Sequence, residues 1–170
     1  MIDHDQSKKN EEFQIEFITE AIERVIAGES VETALQIDKK VTESFYSIGY
    51  SLYQQSNYEE ALRYFKYSVM LDNYEVKYLI AYAKCLKNIG ELDEAISYLT
   101  IAQLLSSNDP TIALVICECL LKKNLVDEAG QILEMIESHF KNSEEHKQIV
   151  ELSRGLKKIA DNETIKNGLI

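Results

Sequence analysis

The chain has 170 residues and a formal net charge of −11, with one proline and six glycines. This length predicts one domain that buries its own core. An acidic surface repels nucleic-acid phosphates and anionic lipids, so binding to nucleic acids or membranes is not expected. No apolar run approaches the roughly 20 residues that span a bilayer, and the polar N-terminus lacks a secretion signal. These features predict a cytosolic protein.

Residues 1–41 form a separate N-terminal region. Residues 1–10 are polar and without periodicity, which predicts a disordered tail, and residues 11–41 form a helical segment. From about Asn10 to Ala27 the apolar residues follow helical spacing in two rows, a face too wide for one solvated helix. This face should pack on the rest of the chain or on a second copy. Its candidate dimerisation residues are Phe13, Phe17, Ile18, Ala21, Ile22 and Val25. Gly28 marks a helix end, and Ser30 an N-cap of a short second helix.

Three segments of the chain repeat with a spacing of 34 residues. Ala61, Ala95 and Ala129 stand at this spacing, and each directly follows a pair of acidic residues. We call such a set of equivalent positions a column, and the further columns are Gly49, Ala83 and Cys117; Leu52, Leu86 and Leu120; Tyr58, Leu92 and Val126; and Phe65, Leu99 and Leu133. A 34-residue period of small and large residues is the signature of the tetratricopeptide repeat, a helix-turn-helix unit.

We therefore predict an all-α fold with three tetratricopeptide (helix-turn-helix) repeats in a short right-handed solenoid. The repeats cover residues 42–75, 76–109 and 110–143, with turns at Ser56-Asn57, Gly90-Glu91 and Asn124-Leu125. N-terminal helices precede them, a C-terminal capping helix covers residues 144–160, and residues 161–170 form a tail. Stacked helix pairs of this kind form a concave surface that binds peptides, which favours a binding role over catalysis.

The concave surface should be lined by the first helix of each repeat. Its predicted residues are Tyr46, Tyr50 and Tyr53 in repeat 1, Ile80, Lys84 and Lys87 in repeat 2, and Leu114, Glu118 and Leu121 in repeat 3. All ten tyrosines lie between Tyr46 and Tyr98, and three of them share this face. Tyrosine is common in recognition surfaces because it offers apolar area and a hydroxyl. The alternative is that the N-terminal helix covers these rings.

The sequence offers no constellation for catalysis, metal binding or cofactor binding, so we expect no enzyme and no cofactor. His139 and His146 are seven residues apart without neighbouring ligands, and His4 lies in the tail. The three cysteines, Cys85, Cys117 and Cys119, fall at apolar or small positions and should be reduced, packed thiols. No glycine-rich phosphate loop is present.

The layout resembles the LcrH/SycD-type class II chaperones of bacterial type III secretion. The segment from Phe45 to Ala61 resembles their first repeat, and Met70 to Tyr74 resembles the junction between their first and second repeats. Glu118 to Lys123 resembles a motif of their third repeat, with Cys117 in place of the usual small residue. The chain departs from the family at Tyr50, where phenylalanine is more usual.

The resemblance implies a chaperone that holds hydrophobic translocator proteins in the bacterial cytoplasm before export. Their extended segments, of the Pro-x-Leu-x-x-Pro kind, would lie in the concave groove, with apolar side chains in pockets lined by Tyr46, Tyr50 and Tyr53. The resemblance further implies a homodimer through the N-terminal region and, for some members, a transcriptional regulator as a partner.

A generic tetratricopeptide adaptor that assembles other proteins is the alternative function. Adaptors that recognise a C-terminal carboxylate need a cluster of basic and asparagine side chains in the groove. Here repeat 1 supplies tyrosines, and Lys84 and Lys87 are the basic residues of the predicted surface. This composition disfavours a carboxylate clamp, although it leaves other adaptors open.

Overall fold

The computed structural model describes residues 4–106 and 109–167, with side chains described for residues 13–106 and 109–160. All regular structure in these residues is α-helical, which confirms the predicted all-α class. The helices are α1 (His4–Ile26), α2 (Val31–Ala34), α3 (Lys39–Gln54), α4 (Tyr58–Leu71), α5 (Val76–Ile89), α6 (Leu92–Leu105), α7 (Pro110–Lys122), α8 (Val126–Phe140) and α9 (Lys147–Asn167). Helices α3 to α8 form three consecutive hairpins at the predicted repeats.

The three turns inside these hairpins lie at the predicted positions and share a residue in the left-handed region followed by the same hydrogen bond. One residue in each turn has a positive φ: 60° at Ser56, 98° at Gly90 and 61° at Asn124. The amide of the next residue donates to a carbonyl near the end of the preceding helix, at 2.9 to 3.0 Å in all three turns. This bond satisfies a carbonyl that the helix end leaves without a partner and reverses the chain direction.

Local sequence signals also set the helix starts. The side chain of Asp109 accepts a hydrogen bond from the Thr111 amide at 2.8 Å, and Pro110 occupies the first turn of α7, where no N–H is needed. Ser30 caps α2 through the Thr33 amide at 3.2 Å, as predicted. The acidic pairs lie in the first turns of α4, α6 and α8, where the helix dipole favours negative charge.

The core depends on close contact between the two helices of each hairpin. The large column residues Phe65, Leu99 and Leu133 are at most 1% exposed. In repeat 1, a Cβ placed on Gly49 would lie 2.9 Å from the ring of Phe65, closer than real Cβ contacts. The small residue at this column therefore lets the helices approach each other.

The two ends of the chain are more helical than predicted. Helix α1 begins at His4, so residues 4–10 are helical rather than disordered. Helix α9 begins at Lys147 and continues to Asn167, through most of the predicted tail. The predictions for residues 1–3 and 168–170 lie outside the described residues. In the described part of the chain, no helix combines the length and apolarity needed to cross a membrane.

Substituting Gly49→Ala should destabilise the protein by up to about 2 kcal/mol. Overpacking against Phe65 costs about 1–3 kcal/mol, which offsets or exceeds the roughly 1 kcal/mol gained in helix propensity. Gly130→Ala in α8 is the matched control, since a Cβ there meets no atom within 4 Å. It should stabilise the protein by about 0.5–1 kcal/mol. Urea unfolding measures both effects, and stabilisation by Gly49→Ala would contradict the close packing.

Candidate functional site

A cavity of about 540 Å³ lies along the concave side of the three hairpins. Its walls come from the first helices α3, α5 and α7, with Phe65 of α4 at its floor and α9 contributing at one end. Eight of the predicted groove residues line this cavity: Tyr46, Tyr50, Tyr53, Ile80, Lys84, Lys87, Leu114 and Glu118. Leu121, in the last turn of α7, is not among the lining residues. We call this cavity the concave groove.

The tyrosine wall of the groove is held by neighbouring side chains. The Tyr46 ring packs against Phe65 and Tyr78, with centroids 5.6 and 5.4 Å away. The Tyr50 ring stacks on Tyr46 at 6.2 Å and is 50% exposed. Asn88 donates a hydrogen bond to the Tyr53 hydroxyl at 3.0 Å. The rings are therefore oriented before any ligand arrives, with Tyr50 presenting the most accessible surface.

The alternative in which the N-terminal helix covers the tyrosines does not describe this structure. Helix α1 packs against α2, and no residue of either helix belongs to the lining of the concave groove among the described side chains. Burial raises the pKa of the Tyr46 hydroxyl, so this phenol is neutral at physiological pH and can donate a hydrogen bond. The wall combines apolar area with neutral polar groups.

Two of the three lysines that line the groove are ion-paired. The Lys77 ammonium lies 2.6 Å from Glu43 and over the rings of Tyr46 and Tyr78, 5.4 and 5.1 Å from their centroids. Its hydrogen bond lowers the pKa of Glu43, and the same contact raises the pKa of Lys77. The ammonium of Lys87 pairs with Glu118 of the next repeat. Both pairs connect neighbouring repeats across the groove.

Sequence reasoning missed several residues of the groove. These are Gln54, Phe65, Lys77, Ala81, Thr111, Val115, Ile149 and Leu152. Lys77 could have been found, because it stands one repeat period after Glu43 and residues one repeat apart become neighbours in a solenoid. Ile149 and Leu152 belong to α9, outside the repeat, so the period carries no information about them. They place an apolar wall opposite the tyrosines.

The histidines and cysteines do not form a metal site among the described residues. No cluster of three or more metal-ligating side chains occurs there. His139 contacts its own helix through the Met135 carbonyl at 2.9 Å, and the His146 ring packs on Phe140 with centroids 5.0 Å apart. Cys85, Cys117 and Cys119 are free and buried, as the sequence predicted.

The buried thiols should be almost unreactive in the folded protein. Burial raises the pKa of both Cys85 and Cys117 to about 12, which reduces the reactive thiolate about 1,000-fold relative to a thiol with the usual pKa of 9. We expect Ellman's reagent at pH 8 to titrate all three thiols in urea but none promptly in buffer. A thiol that reacts in the native protein at the unfolded rate would contradict this burial.

The predicted dimerisation residues are mostly exposed in α1. Phe13, Ile18 and Ile22 are each more than half exposed, and Val25 is 38% exposed. Phe17 is half-buried, whereas Ala21 is already buried within the monomer and cannot add to a free face. The remaining apolar residues leave α1 with a broad uncovered surface.

Comparison with known proteins relates this architecture to one group. No protein-family model matches the chain. It is 25% identical over 122 residues to low calcium response locus protein H of Yersinia pestis, covering 72% of this chain and 73% of that protein.

Several solved structures share the fold, among them two with a bound peptide or chaperone-binding region. The type III secretion chaperone SycD of Yersinia enterocolitica, in complex with a peptide of the translocator YopD, gives a TM-score of 0.67 at 23% identity, covering 74% of this chain and 95% of SycD. PcrH of Pseudomonas aeruginosa, in complex with the chaperone-binding region of PopD, gives 0.69 at 19% identity, covering 75% of this chain and 96% of PcrH. Sequence similarity and shared fold together confirm the resemblance to the LcrH/SycD-type class II chaperones of type III secretion.

Proposed function

We propose that this protein is a cytoplasmic bacterial chaperone of type III secretion. It binds a hydrophobic translocator through an extended segment that lies in the concave groove, and it keeps that client soluble and competent for export. The observation that carries the proposal is the preformed groove, with tyrosines along one wall and Ile149 and Leu152 on the other. SycD, which has this fold, binds a peptide of the translocator YopD, and PcrH, which also has it, binds the chaperone-binding region of PopD.

The groove has the properties that an extended apolar segment requires. Affinity in such a site comes from a few anchor side chains that enter desolvated pockets, and rigid aromatic residues provide these pockets at low entropic cost. Tyr46 and Tyr53 are fixed by their neighbours, while half of Tyr50 is available for contact. Covering the apolar segments of a client also removes surface that would otherwise aggregate.

The alternative of a generic adaptor has weaker support from the groove. A carboxylate clamp needs several unpaired cationic side chains, yet Lys77 and Lys87 are already paired with Glu43 and Glu118. Lys84, which has no ion-pair partner among the described side chains, does not by itself form a clamp. SycD binds a peptide of the translocator YopD and PcrH binds the chaperone-binding region of PopD, and neither complex supports a transcriptional regulator as a partner.

Substituting Tyr50→Ala should abolish recovery of the client without unfolding the chaperone. Tyr50 is half exposed, so its truncation removes little core, whereas loss of a central aromatic anchor weakens binding by about 2 kcal/mol or more, roughly 30-fold. The measurement is a pull-down from bacteria that co-express the neighbouring open reading frames, with circular dichroism to verify folding.

Tyr67→Ala provides the matched control for this experiment. Tyr67 lies on α4, is 49% exposed and does not line the groove. Its truncation should leave client recovery intact. Equal recovery with Tyr50→Ala and Tyr67→Ala, or recovery of soluble cytosolic proteins only, would contradict the proposal and favour the adaptor.

We further propose that the exposed face of α1 mediates homodimerisation. Ile22→Glu should shift the protein toward monomer by about 100-fold or more in the dissociation constant, because an unpaired carboxylate is costly to bury in an apolar interface. Sedimentation velocity without client measures the change. Leu104→Glu, at an exposed position on α6, is the control and should retain the wild-type distribution. A wild-type monomer at all concentrations would contradict the dimer.

A further inference from the structure

The charge of the concave groove is opposite to that of the protein as a whole. The chain carries a formal net charge of −11, yet the groove lining contains three lysines and one glutamate, hence a formal charge of +2. All three lysines, Lys77, Lys84 and Lys87, project from α5, the central helix of the groove. A positive strip inside an acidic protein distinguishes the groove electrostatically from the remaining surface.

Lys84 is the unpaired member of this strip. Lys77 and Lys87 have glutamate partners, but Lys84 has no carboxylate within 4.0 Å among the described side chains. It is half-buried, between the tyrosine wall of α3 and the α7 residues Thr111 and Leu114. A half-buried ammonium in an apolar groove interacts with an opposite charge more strongly than one in bulk water. Its position therefore selects for an anionic group on whatever fills the groove.

The spacing of the helices relates the position of the anionic residue in an extended ligand to the positions of its neighbours. Neighbouring packed helices are about 8–10 Å apart, and a polyproline II segment advances about 9 Å in each turn of three residues. A segment that crosses α3, α5 and α7 in turn thus places every third residue over a successive helix. We assign the central residue to Lys84 and the residues three before and three after it to Tyr50 on α3 and Leu114 on α7, which line the groove with Lys84. Glu118, the residue of α7 one repeat period after Lys84, is already ion-paired with Lys87.

We infer that the groove is specific for an extended segment with an acidic residue over Lys84 and apolar residues three positions away on each side. This inference rests on the proposed function, because it specifies the sequence pattern of the client segment that binds in the same groove. The carboxylate accepts a hydrogen bond from the Lys84 ammonium, and the flanking apolar side chains contact the two walls. Lys84 is then a specificity residue, and Tyr50 and Leu114 supply the apolar contacts.

Three synthetic peptides test this pattern against the full chain. They share the sequence Ser-Gly-Leu-Pro-Ser-X-Pro-Ser-Leu-Gly-Ser, where X is Asp, Asn or Lys. Titrations followed by nuclear magnetic resonance locate binding and give dissociation constants for the wild type, for Lys84→Met and for Lys66→Met. Lys66, an exposed lysine on α4 outside the groove, is the control for loss of one positive charge.

The wild type and Lys66→Met should bind the Asp peptide about three- to tenfold more tightly than the Asn peptide, and the Lys peptide most weakly. Lys84→Met should bind the Asp and Asn peptides equally. Raising the salt from 0.1 to 0.5 M should reduce the Asp preference of the wild type.

Equal binding of the Asp and Asn peptides by the wild type would overturn the inference, as would an Asp preference that survives Lys84→Met. Absence of groove shifts with all three peptides would overturn it as well. The proposed function is tested separately by client recovery with Tyr50→Ala. A Tyr50-dependent pull-down combined with no Asp preference would reject only the specificity, whereas a negative pull-down would reject the chaperone function itself.

Discussion

Each hairpin of this protein is held together by a large side chain of its second helix, packed where the first helix carries little bulk. The contact is clearest between Phe65 and Gly49, where a single methyl group would already be too close. The equivalent columns, Ala83 with Leu99 and Cys117 with Leu133, consist of buried residues in the other two hairpins. Because the contact recurs once in every repeat, the first helices lie side by side and the concave groove follows from the core.

The same constraint explains why the groove is aromatic. Tyr50 does not pack against the main core cluster, so its ring is left for the concave side, whereas Tyr53 packs against that cluster and also lines the groove. Tyr46 joins both regions, since it packs on the core residues Phe65 and Tyr78 and also lines the groove. A rigid core residue thus fixes the inner end of the tyrosine wall, and less side-chain freedom remains to be lost when a ligand binds.

The repeat period made most of the fold predictable, and it failed where the chain departs from the period. Turns at Ser56, Gly90 and Asn124 and the buried column of Phe65 and Leu99 follow from one repeating pattern. Outside that pattern, the period carries no information about the extra helical turns of α1 and α9 or about the contribution of Ile149 and Leu152 to the groove. Leu121 was assigned by strict repeat equivalence with Lys87, but the groove does not extend to the last turn of α7.

Polar contacts between repeats determine the electrostatics of the groove. Tyr53 with Asn88, Glu43 with Lys77 and Lys87 with Glu118 all join residues about one repeat apart. Pairs of this kind are worth little as isolated surface salt bridges. Here the glutamates neutralise the charges of Lys77 and Lys87, so these two lysines attract an anionic ligand less strongly than unpaired lysines would. Within the described part of the chain, the groove therefore combines an oriented aromatic surface with one uncompensated charge, that of Lys84. This combination suits selective yet reversible binding better than a strongly charged cleft would.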